Sequence, residues 1–252
     1  MTHSHDHNSR NKTESVIQLK DITFSYPGSG KNVLDSLNLD IRKGDRIGMM
    51  APNGSGKTTL LHTIMGLCRP DRGQIIILGR EMEKEADFVP VRSKIGLLFQ
   101  DSDDQLFCPT VLEDVAFGPL NLGSGRDEAM DRSKAILDRF GIGALADSVT
   151  HRLSGGQKRL VALAAVLAME PQVLLLDEPT AGLDSEVQKK LVRILNSLDI
   201  SYFVISHEYD FVSAVTEKIY SMEKGRILTD DEIHVHKHEH IHKHGGHPHV
   251  HD

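Results

Sequence analysis

A glycine-rich segment near residue 55 combines residue types that bind phosphate. The stretch reads APNGSGKTT, residues 51–59. Gly54 and Gly56 let backbone N–H groups approach phosphate oxygens where a side chain would clash, and Lys57 can reach the β- and γ-phosphates of a nucleotide. A glycine-rich turn with a chance lysine is the alternative. The segment predicts a phosphate-binding loop whose ligands are Ala51, Pro52, Asn53, Gly54, Ser55, Gly56, Lys57, Thr58 and Thr59.

Two adjacent carboxylates end the apolar stretch VLLLDEP, residues 173–179. Beside a phosphate-binding loop, Asp177 is predicted to hold Mg²⁺ together with the hydroxyl of Thr58. Glu178 is placed to polarise an attacking water as a general base, an effect worth about 10²–10⁴-fold. Because side chains alternate along a strand, the two carboxylates point in different directions and can take different roles. On its own, such a pair is also a common strand end.

Histidine recurs at every second residue from His234 to His244. In an extended chain these side chains point the same way, and imidazole suits Ni²⁺, Co²⁺, Cu²⁺ and Zn²⁺. An expression tag is the alternative, but the histidines are interspersed with other residues and a second cluster lies at residues 3–7. We predict sequestering ligands for a transition metal at His234, His236, His238, His240, His242, His244, His247, His249 and His251.

The segments around these residues alternate between strands and helices. DRIGMM predicts a buried strand before the glycine-rich loop, and TTLLHTIMGL after it has helical spacing. VIQLKDITFSY and KNVLDSLNLDI predict strands near the start, and strands alternate with helices again after Pro171, which indicates a largely parallel sheet. Residues from about 101 to 165 are mainly helical. The sequence therefore predicts an α/β fold with an inserted helical subdomain.

The ends of the chain differ in character from its middle. Residues 1–14 are polar and lack periodicity, which predicts a flexible arm that contains histidine. The folded domain is predicted to cover residues 15–230, with the helical subdomain at about 101–165 inside it. Residues 231–252 form a histidine-rich tail that is predicted to be disordered.

Composition and charge exclude several classes of protein. The 252 residues carry a formal net charge of −7, whereas a generic nucleic-acid binder usually has a basic face. Two cysteines without CxxC spacing form no disulfide framework, which fits a reducing compartment. The longest apolar run, residues 160–169, is far shorter than the ~18 residues that span a bilayer, and the polar, histidine-rich N-terminus is predicted not to be a signal peptide. We expect a cytoplasmic protein that another subunit holds wherever it works at a membrane.

The stretch LSGGQKRLVALAAVLA, residues 153–168, decides the family. Together with APNGSGKTT, DEPTAGLD, Gln100 and His207, it resembles the nucleotide-binding subunit of ATP-binding cassette (ABC) transporters, over residues 16 to about 228. Ala51 stands where the common loop pattern has Gly, a minor departure that the looser pattern accepts. The resemblance implies an ATPase that uses ATP and Mg²⁺. It also implies an ABC-type P-loop NTPase core with a mixed sheet, antiparallel N-terminal strands and a helical subdomain.

The resemblance also implies roles for single residues. Ser154, Gly155, Gly156 and Gln157 form the signature segment, which contacts the γ-phosphate of ATP bound to a facing subunit. Ser154 can equally be the N-cap of a helix, and both roles are compatible. Because the chain has one phosphate loop and one signature segment, it must pair head-to-tail with a second ATPase subunit, for which a homodimer is the first expectation.

Further roles follow from the same resemblance. His207 is expected to hold the γ-phosphate and organise Glu178, and Gln100 to touch Mg²⁺ or the attacking water. Tyr26 is expected to stack on adenine, with an ordinary edge-strand aromatic as the alternative, and Asp184 to cross the dimer interface. The two histidines outside these patterns, His62 and His151, are interpreted as an ordinary helix residue and an ordinary loop residue.

Residues 100–123, QDSDDQLFCPTVLEDVAFGPLNLG, resemble one branch of the family, the ATPase of energy-coupling-factor importers. That branch takes up vitamins, cobalt and nickel in prokaryotes. Asp101 and Ser102 replace its usual Asn and Pro, whereas residues 103–107 match. The region implies a groove for a transmembrane coupling subunit, with Leu106 and Phe107 as apolar anchors, and an integral substrate-binding subunit as a further partner. An ordinary loop and helix start is the alternative.

These features lead to one hypothesis and three alternatives. The hypothesis is the ATP-hydrolysing subunit of a nickel or cobalt importer, peripheral at the cytoplasmic face of the cell membrane. The alternatives are a vitamin importer with incidental tails, a soluble ABC ATPase for chromosome, repair or ribosome work, and a metal-storage protein with an ATPase fold. No nucleic-acid partner is expected.

Overall fold

Ten strands and seven helices run through the part of the chain that the computed structural model describes, residues 14–228. The strands are β1 (Ser15–Phe24), β2 (Leu34–Arg42), β3 (Arg46–Met50), β4 (Arg72–Ile77), β5 (Arg80–Glu81), β6 (Ile95–Leu98), β7 (Val173–Asp177), β8 (Ser201–Ser206), β9 (Lys218–Glu223) and β10 (Arg226–Leu228). The helices are α1 (Lys57–Ile64), α2 (Glu85–Arg92), α3 (Val111–Asn121), α4 (Arg126–Arg139), α5 (Gly155–Ala168), α6 (Ser185–Asn196) and α7 (Tyr209–Val215).

The predicted terminal segments lie largely outside this description. The histidine-rich tail of residues 231–252 is outside the described residues, as is the N-terminal arm apart from Glu14. All nine predicted metal ligands of the tail therefore lie outside as well. Within residues 14–228, no helix is long and apolar enough to span a bilayer.

The first sheet is antiparallel, in the order β2-β1-β4-β5. Its centre is β1, in which Ile17 pairs with Ile41 of β2 and with Ile77 of β4. All three isoleucines are buried, so these pairs face a common apolar layer. The alternation of apolar and polar residues in β1 and β2 predicts this half-buried arrangement.

The second sheet is mainly parallel, in the order β10-β9-β3-β8-β7-β6. Its central strands β7 and β8 are buried along their whole length, as continuous apolar runs are in a sheet covered on both faces. Within the described part of this second sheet, only β10 runs antiparallel to its neighbour. Because β3, β6, β7 and β8 are parallel, their carboxyl ends lie at one edge. The loops at residues 51–56, 100, 178 and 207 follow those ends and meet there.

Helices α3, α4 and α5 form the helical region, and they bury apolar residues that include Val115, Leu137 and Val161. Helix α5 also contacts β6 at Gly96, where an added Cβ would lie 2.4 Å from Cγ1 of Val166. A glycine at this position therefore lets the helix approach the strand closely. The sequence predicted the helical character of this region but not the short α2 or the two-residue β5.

Candidate active site

The glycine-rich loop joins β3 to α1 and has the backbone shape that the sequence predicts. Gly56 has a φ of 103°, and a Cβ at that position would lie 2.9 Å from the carbonyl oxygen of Val33. Only glycine fits there without displacing backbone. The loop ends at the N-terminus of α1, where unpaired N–H groups and the helix dipole favour an anion. The buried hydroxyl of Ser55 has no partner within the described residues.

Lys57 is buried at the start of α1 and carries the positive charge of the loop. Its Nζ lies 2.6 Å from Oε1 of Glu178 and donates a second hydrogen bond, 3.2 Å long, to Oδ1 of Asn53. The lysine and the glutamate are each less than a tenth exposed. A buried ion pair of this kind depends on both partners, since removing one leaves an uncompensated charge.

Glu178 follows β7 in a strained conformation. Its φ is 44°, in the left-handed region that glycine favours, and its N–H donates to the carbonyl of Ile205 at 2.9 Å. The second carboxylate oxygen, Oε2, lies 2.9 Å from Nδ1 of His207. Burial alone would raise the pKa of Glu178, but the charge and hydrogen bond of Lys57, with a contribution from His207, bring that pKa below its usual value. Glu178 is therefore ionised at neutral pH.

Asp177 precedes Glu178 and is buried at the end of β7. Its Oδ2 accepts a hydrogen bond, 3.2 Å long, from the hydroxyl of Thr58, whereas its buried Oδ1 has no partner within the described residues. Burial raises the pKa of Asp177 above its ordinary value. An unpaired carboxylate oxygen beside a threonine hydroxyl fits Mg²⁺, which takes oxygen ligands. Thr58 and Asp177 would hold the ion, and when bound it neutralises phosphate charge.

A cavity of about 900 Å³ opens beside these two residues, and the exposed side chain of Gln100 lies in its wall. His62 lines the same cavity and packs edge-to-face against Phe99, with 6.5 Å between the ring centroids. We interpreted His62 as an ordinary helix residue. Its spacing of four from Thr58 is the signal that puts both side chains on one face of α1.

Tyr26 lies beside the phosphate loop on the side of the first sheet. Its hydroxyl is 3.1 Å from Oγ1 of Thr59, and its ring packs edge-on against Phe24 with centroids 5.0 Å apart. The side chain is 45% exposed, so part of the ring is free to contact a flat ligand. Stacking on adenine stays a prediction.

The signature segment begins α5. Ser154 is the N-cap, with Oγ accepting from the N–H of Gln157, while the Gln157 side chain accepts from the N–H of Ser154. Asp184 caps α6 in a similar way. Ser154, Gly155 and Asp184 are exposed, as is His151 in the loop before them. Their predicted contacts with a second subunit stay predictions.

Two residues near the site were given no role in it from the sequence, although Gln105 is among residues 103–107 that match the importer branch. Arg159 of α5 is buried and donates to the carbonyl oxygens of Phe99 and Gln100. Gln105 bonds to the backbone at the end of β6. A signal for Arg159 existed, because its spacing places it on the same helix face as the apolar Leu163 and Val166, and a charge there needs partners.

Comparison with known proteins agrees with this geometry. Residues 34–181, more than half of the chain, match the family described as ABC transporter. A putative ABC transporter ATP-binding protein of Nitratidesulfovibrio vulgaris is 46% identical over 214 residues, which are 85% of this chain and 78% of that protein.

The chain belongs to the ABC transporter family. Two further relatives have names that point to one branch of the family, the energy-coupling-factor and CbiO-type ATPases. The energy-coupling factor transporter ATP-binding protein EcfA of Methanocaldococcus jannaschii is 41% identical over 85% of this chain and 78% of its own length. The structure of CbiO1 from Clostridium perfringens, described as part of the ABC transporter complex cbiONQ, has a TM-score of 0.76 and 36% identity, over 85% of this chain and 87% of that one.

Membership of the ABC transporter family confirms several predictions made from the sequence. The fold is the P-loop core of an ABC ATPase, with a mixed sheet, antiparallel N-terminal strands and a helical region. The ABC ATPase hydrolyses ATP, uses Mg²⁺ and couples hydrolysis to transport. ABC ATPases work as dimers with transmembrane partners.

Proposed function

We propose that the chain is the ATP-hydrolysing subunit of an energy-coupling-factor importer for a transition metal ion, nickel or cobalt. It would work at the cytoplasmic face of the membrane with a transmembrane coupling subunit and an integral substrate-binding subunit. The observation that carries the choice of metal is the alternation of histidines from His234 to His244. The similarity to EcfA and to CbiO1 supports the choice of transporter branch.

An exposed apolar surface supports a membrane-embedded partner. The coupling patch comprises Phe107, Phe117, Leu120 and Leu122, which are between 42% and 65% exposed. Phe107 and Phe117 pack edge-to-face with centroids 4.7 Å apart, so their rings form one continuous surface. Aromatic residues of this kind are common anchors in protein interfaces. We propose that the patch receives a helix of the coupling subunit.

Binding of the transported transition metal ion is confined to the tail in this proposal. Within residues 14–228, no three histidine, cysteine or acidic side chains are grouped in a way that could hold a metal ion. The tail histidines lie outside the described residues, and we propose that they sequester the transported ion. Imidazole binds metal only when it is neutral, so this binding is lost in acid.

The hydrolytic step follows from the contacts of Glu178. The phosphates of ATP attract Lys57 away from this carboxylate, which frees Oε1 while His207 still holds Oε2. A water oxygen then attacks the γ-phosphorus, its proton passes to Glu178, and the bond to the β-phosphate oxygen breaks with its electron pair on ADP. His207 also holds the γ-phosphate, Gln100 contacts the water or the ion, and Thr58 with Asp177 holds Mg²⁺.

Closure of two subunits completes the site in this proposal. Ser154, Gly155, Gly156 and Gln157 of one copy contact the γ-phosphate bound by the other, and Asp184 crosses the interface. The exposure of Ser154, Gly155 and Asp184 supports this arrangement. Tyr26 would stack on adenine, and the phosphate loop would hold the remaining phosphates. A homodimer is the simplest assembly.

Capture of the coupling subunit tests the choice of transporter branch. Changing Phe107 and Phe117 to Ser removes the exposed rings, and we expect the tagged chain to lose its membrane partner during purification. Val89→Ser is the matched control, because Val89 is 62% exposed on α2, outside the coupling patch. Mass spectrometry of the captured proteins measures the result. Undiminished capture by the double variant would contradict the proposed docking surface.

A further inference from the structure

The end of β6 is held by a side chain instead of a neighbouring strand. In the described residues β6 is the last strand of its sheet, so one side of its backbone has no partner strand. The carboxamide of Gln105 takes the place of a partner strand on that side. Its Nε2 donates to the carbonyl of Leu97 at 2.8 Å, and its Oε1 accepts from the N–H of Phe99 at 3.0 Å. These two bonds imitate the ladder that a further strand would make.

Arg159 holds the same backbone segment from another direction. Its Nη1 donates to the carbonyl of Phe99 and its Nη2 to the carbonyl of Gln100. The residue is 4% exposed and belongs to α5, the helix that begins with the signature segment. The planar guanidinium reaches two carbonyl oxygens at once, which a lysine ammonium does less well. One side chain thus ties α5 to the main chain of Gln100.

The side chain of Gln100 depends on this support. Among residues 14–228 it has no hydrogen-bond partner of its own, and it lies exposed in the wall of the cavity beside Thr58 and Asp177. Its position is therefore set by its main chain. The N–H of Phe99 is held by Gln105, and the carbonyls of Phe99 and Gln100 are held by Arg159. The segment is fixed at three backbone groups of two adjacent residues, Phe99 and Gln100.

We propose that Gln105 and Arg159 are positioning residues for Gln100. They set where β6 ends and therefore where the Gln100 carboxamide meets the ion and the attacking water. They also connect that point to α5, so Gln100 and the signature segment move together. This inference rests on the role proposed for Gln100 above. It also explains why an amide stands at position 105, since a carboxylate could not donate to Leu97.

Hydrogen–deuterium exchange tests the contact itself. Gln105→Ala removes the acceptor of the Phe99 N–H, so a peptide covering residues 97–105 is expected to exchange faster in the full-length chain. Gln105→Glu keeps the acceptor but removes the donor to Leu97, and it serves as a second variant if the alanine variant folds poorly. The matched control is Gln172→Glu, an exposed glutamine at the opposite end of β7. Unchanged exchange in both Gln105 variants overturns the proposal.

A double-mutant cycle that combines Gln105→Ala with Gln100→Ala tests the positioning role of Gln105. Turnover is measured per ATP-binding chain, together with the Mg²⁺ concentration that gives half-maximal rate. We expect Gln105→Ala to lower turnover about tenfold and to raise the Mg²⁺ requirement, as Gln100→Ala does. Combining the two should cause no further loss, because Gln105 acts through Gln100. Gln172→Glu should behave as the unsubstituted chain.

Each other result of the cycle contradicts either the positioning role of Gln105 or the role proposed for Gln100. If the two losses multiply in the double variant, Gln105 acts by another route and the positioning role is overturned. If Gln100→Ala alone lowers turnover while both Gln105 variants match the unsubstituted chain, the positioning role fails and the role of Gln100 stands. If Gln100→Ala has no effect, the role proposed for Gln100 fails and this inference fails with it.

Discussion

Lys57, Glu178 and His207 form a chain of polar contacts at the centre of the site. One carboxylate oxygen of Glu178 faces the lysine at 2.6 Å and the other faces the histidine at 2.9 Å. The backbone at Glu178 is held at a φ of 44°, a conformation that costs about 1–3 kcal/mol for residues other than glycine. Strain and buried charge at one residue are typical of a position that is retained for chemistry.

Replacing Glu178 by Gln tests the general base. Glutamine keeps the size of the side chain but accepts no proton, so we expect turnover to fall by at least ~10²-fold while an ATP-bound dimer accumulates. Hydrolysis rates and gel filtration with and without ATP measure the two effects. Glu186→Gln, at an exposed acid on α6, is the matched control. Hydrolysis at the normal rate in Glu178→Gln would contradict the assignment.

The buried carboxylate of Asp177 serves the site but lowers the free energy of unfolding of the nucleotide-free protein. Burial raises its pKa, so in the folded chain the ionised form is disfavoured relative to the unfolded chain. The ionised carboxylate therefore costs stability above this raised pKa, and the cost disappears as the pH falls through it. Asp177→Asn should raise the free energy of unfolding of the nucleotide-free protein by about 1 kcal/mol at pH 7 while abolishing hydrolysis.

Denaturant unfolding at several pH values measures this effect. The advantage of Asp177→Asn should narrow as the pH is lowered through the raised pKa of the native carboxyl, because that carboxyl then takes up its proton. Asp104→Asn changes an exposed acid in the same chemical way and should show no comparable gain. A less stable Asp177→Asn at pH 7, or an advantage that grows in acid, would contradict the account.

At the scale of elements, the sequence predicted the strand, loop and helix that carry Lys57, and the buried strand that ends at Asp177. Those elements have strong local signals, namely apolar runs and glycines of required conformation. Helix α2 escaped prediction because Pro90 lies inside it and its periodicity is weak. The contacts of Gln105 escaped prediction because a side chain that replaces a strand has no local signature, and its partners at Leu97 and Phe99 become visible only once β6 is placed.

The contact between α5 and β6 offers a test at the same scale. Gly96→Ala places a methyl group 2.4 Å from Cγ1 of Val166, and overpacking of this kind costs about 1–3 kcal/mol. We expect a lower free energy of unfolding by denaturant. Val166→Ala in the same chain removes the opposing methyl groups and should recover much of the loss. Equal stability of Gly96→Ala and the unsubstituted protein would contradict the close packing.

For the whole molecule, we propose that the chemistry and the clue to the substrate lie in different parts of the chain. Residues 14–228 contain the phosphate loop, the proposed Mg²⁺ ligands and the coupling patch, and the comparisons establish the ABC family from this part. The histidines on which the choice of metal depends are in residues 231–252, outside the described structure. The family could therefore be predicted from the resemblance of its sequence motifs, whereas the proposed cargo depends on the composition of the tail.

Uptake of ⁶³Ni²⁺ and ⁵⁷Co²⁺ by cells that carry the complete transporter tests the central claim most directly. Cells with the unsubstituted chain should accumulate at least one of the two ions, and cells with Glu178→Gln should not. Glu186→Gln should accumulate it as the unsubstituted chain does. Accumulation of neither ion with an active ATPase, or equal accumulation with Glu178→Gln, would contradict the proposal that this ATPase energises metal import.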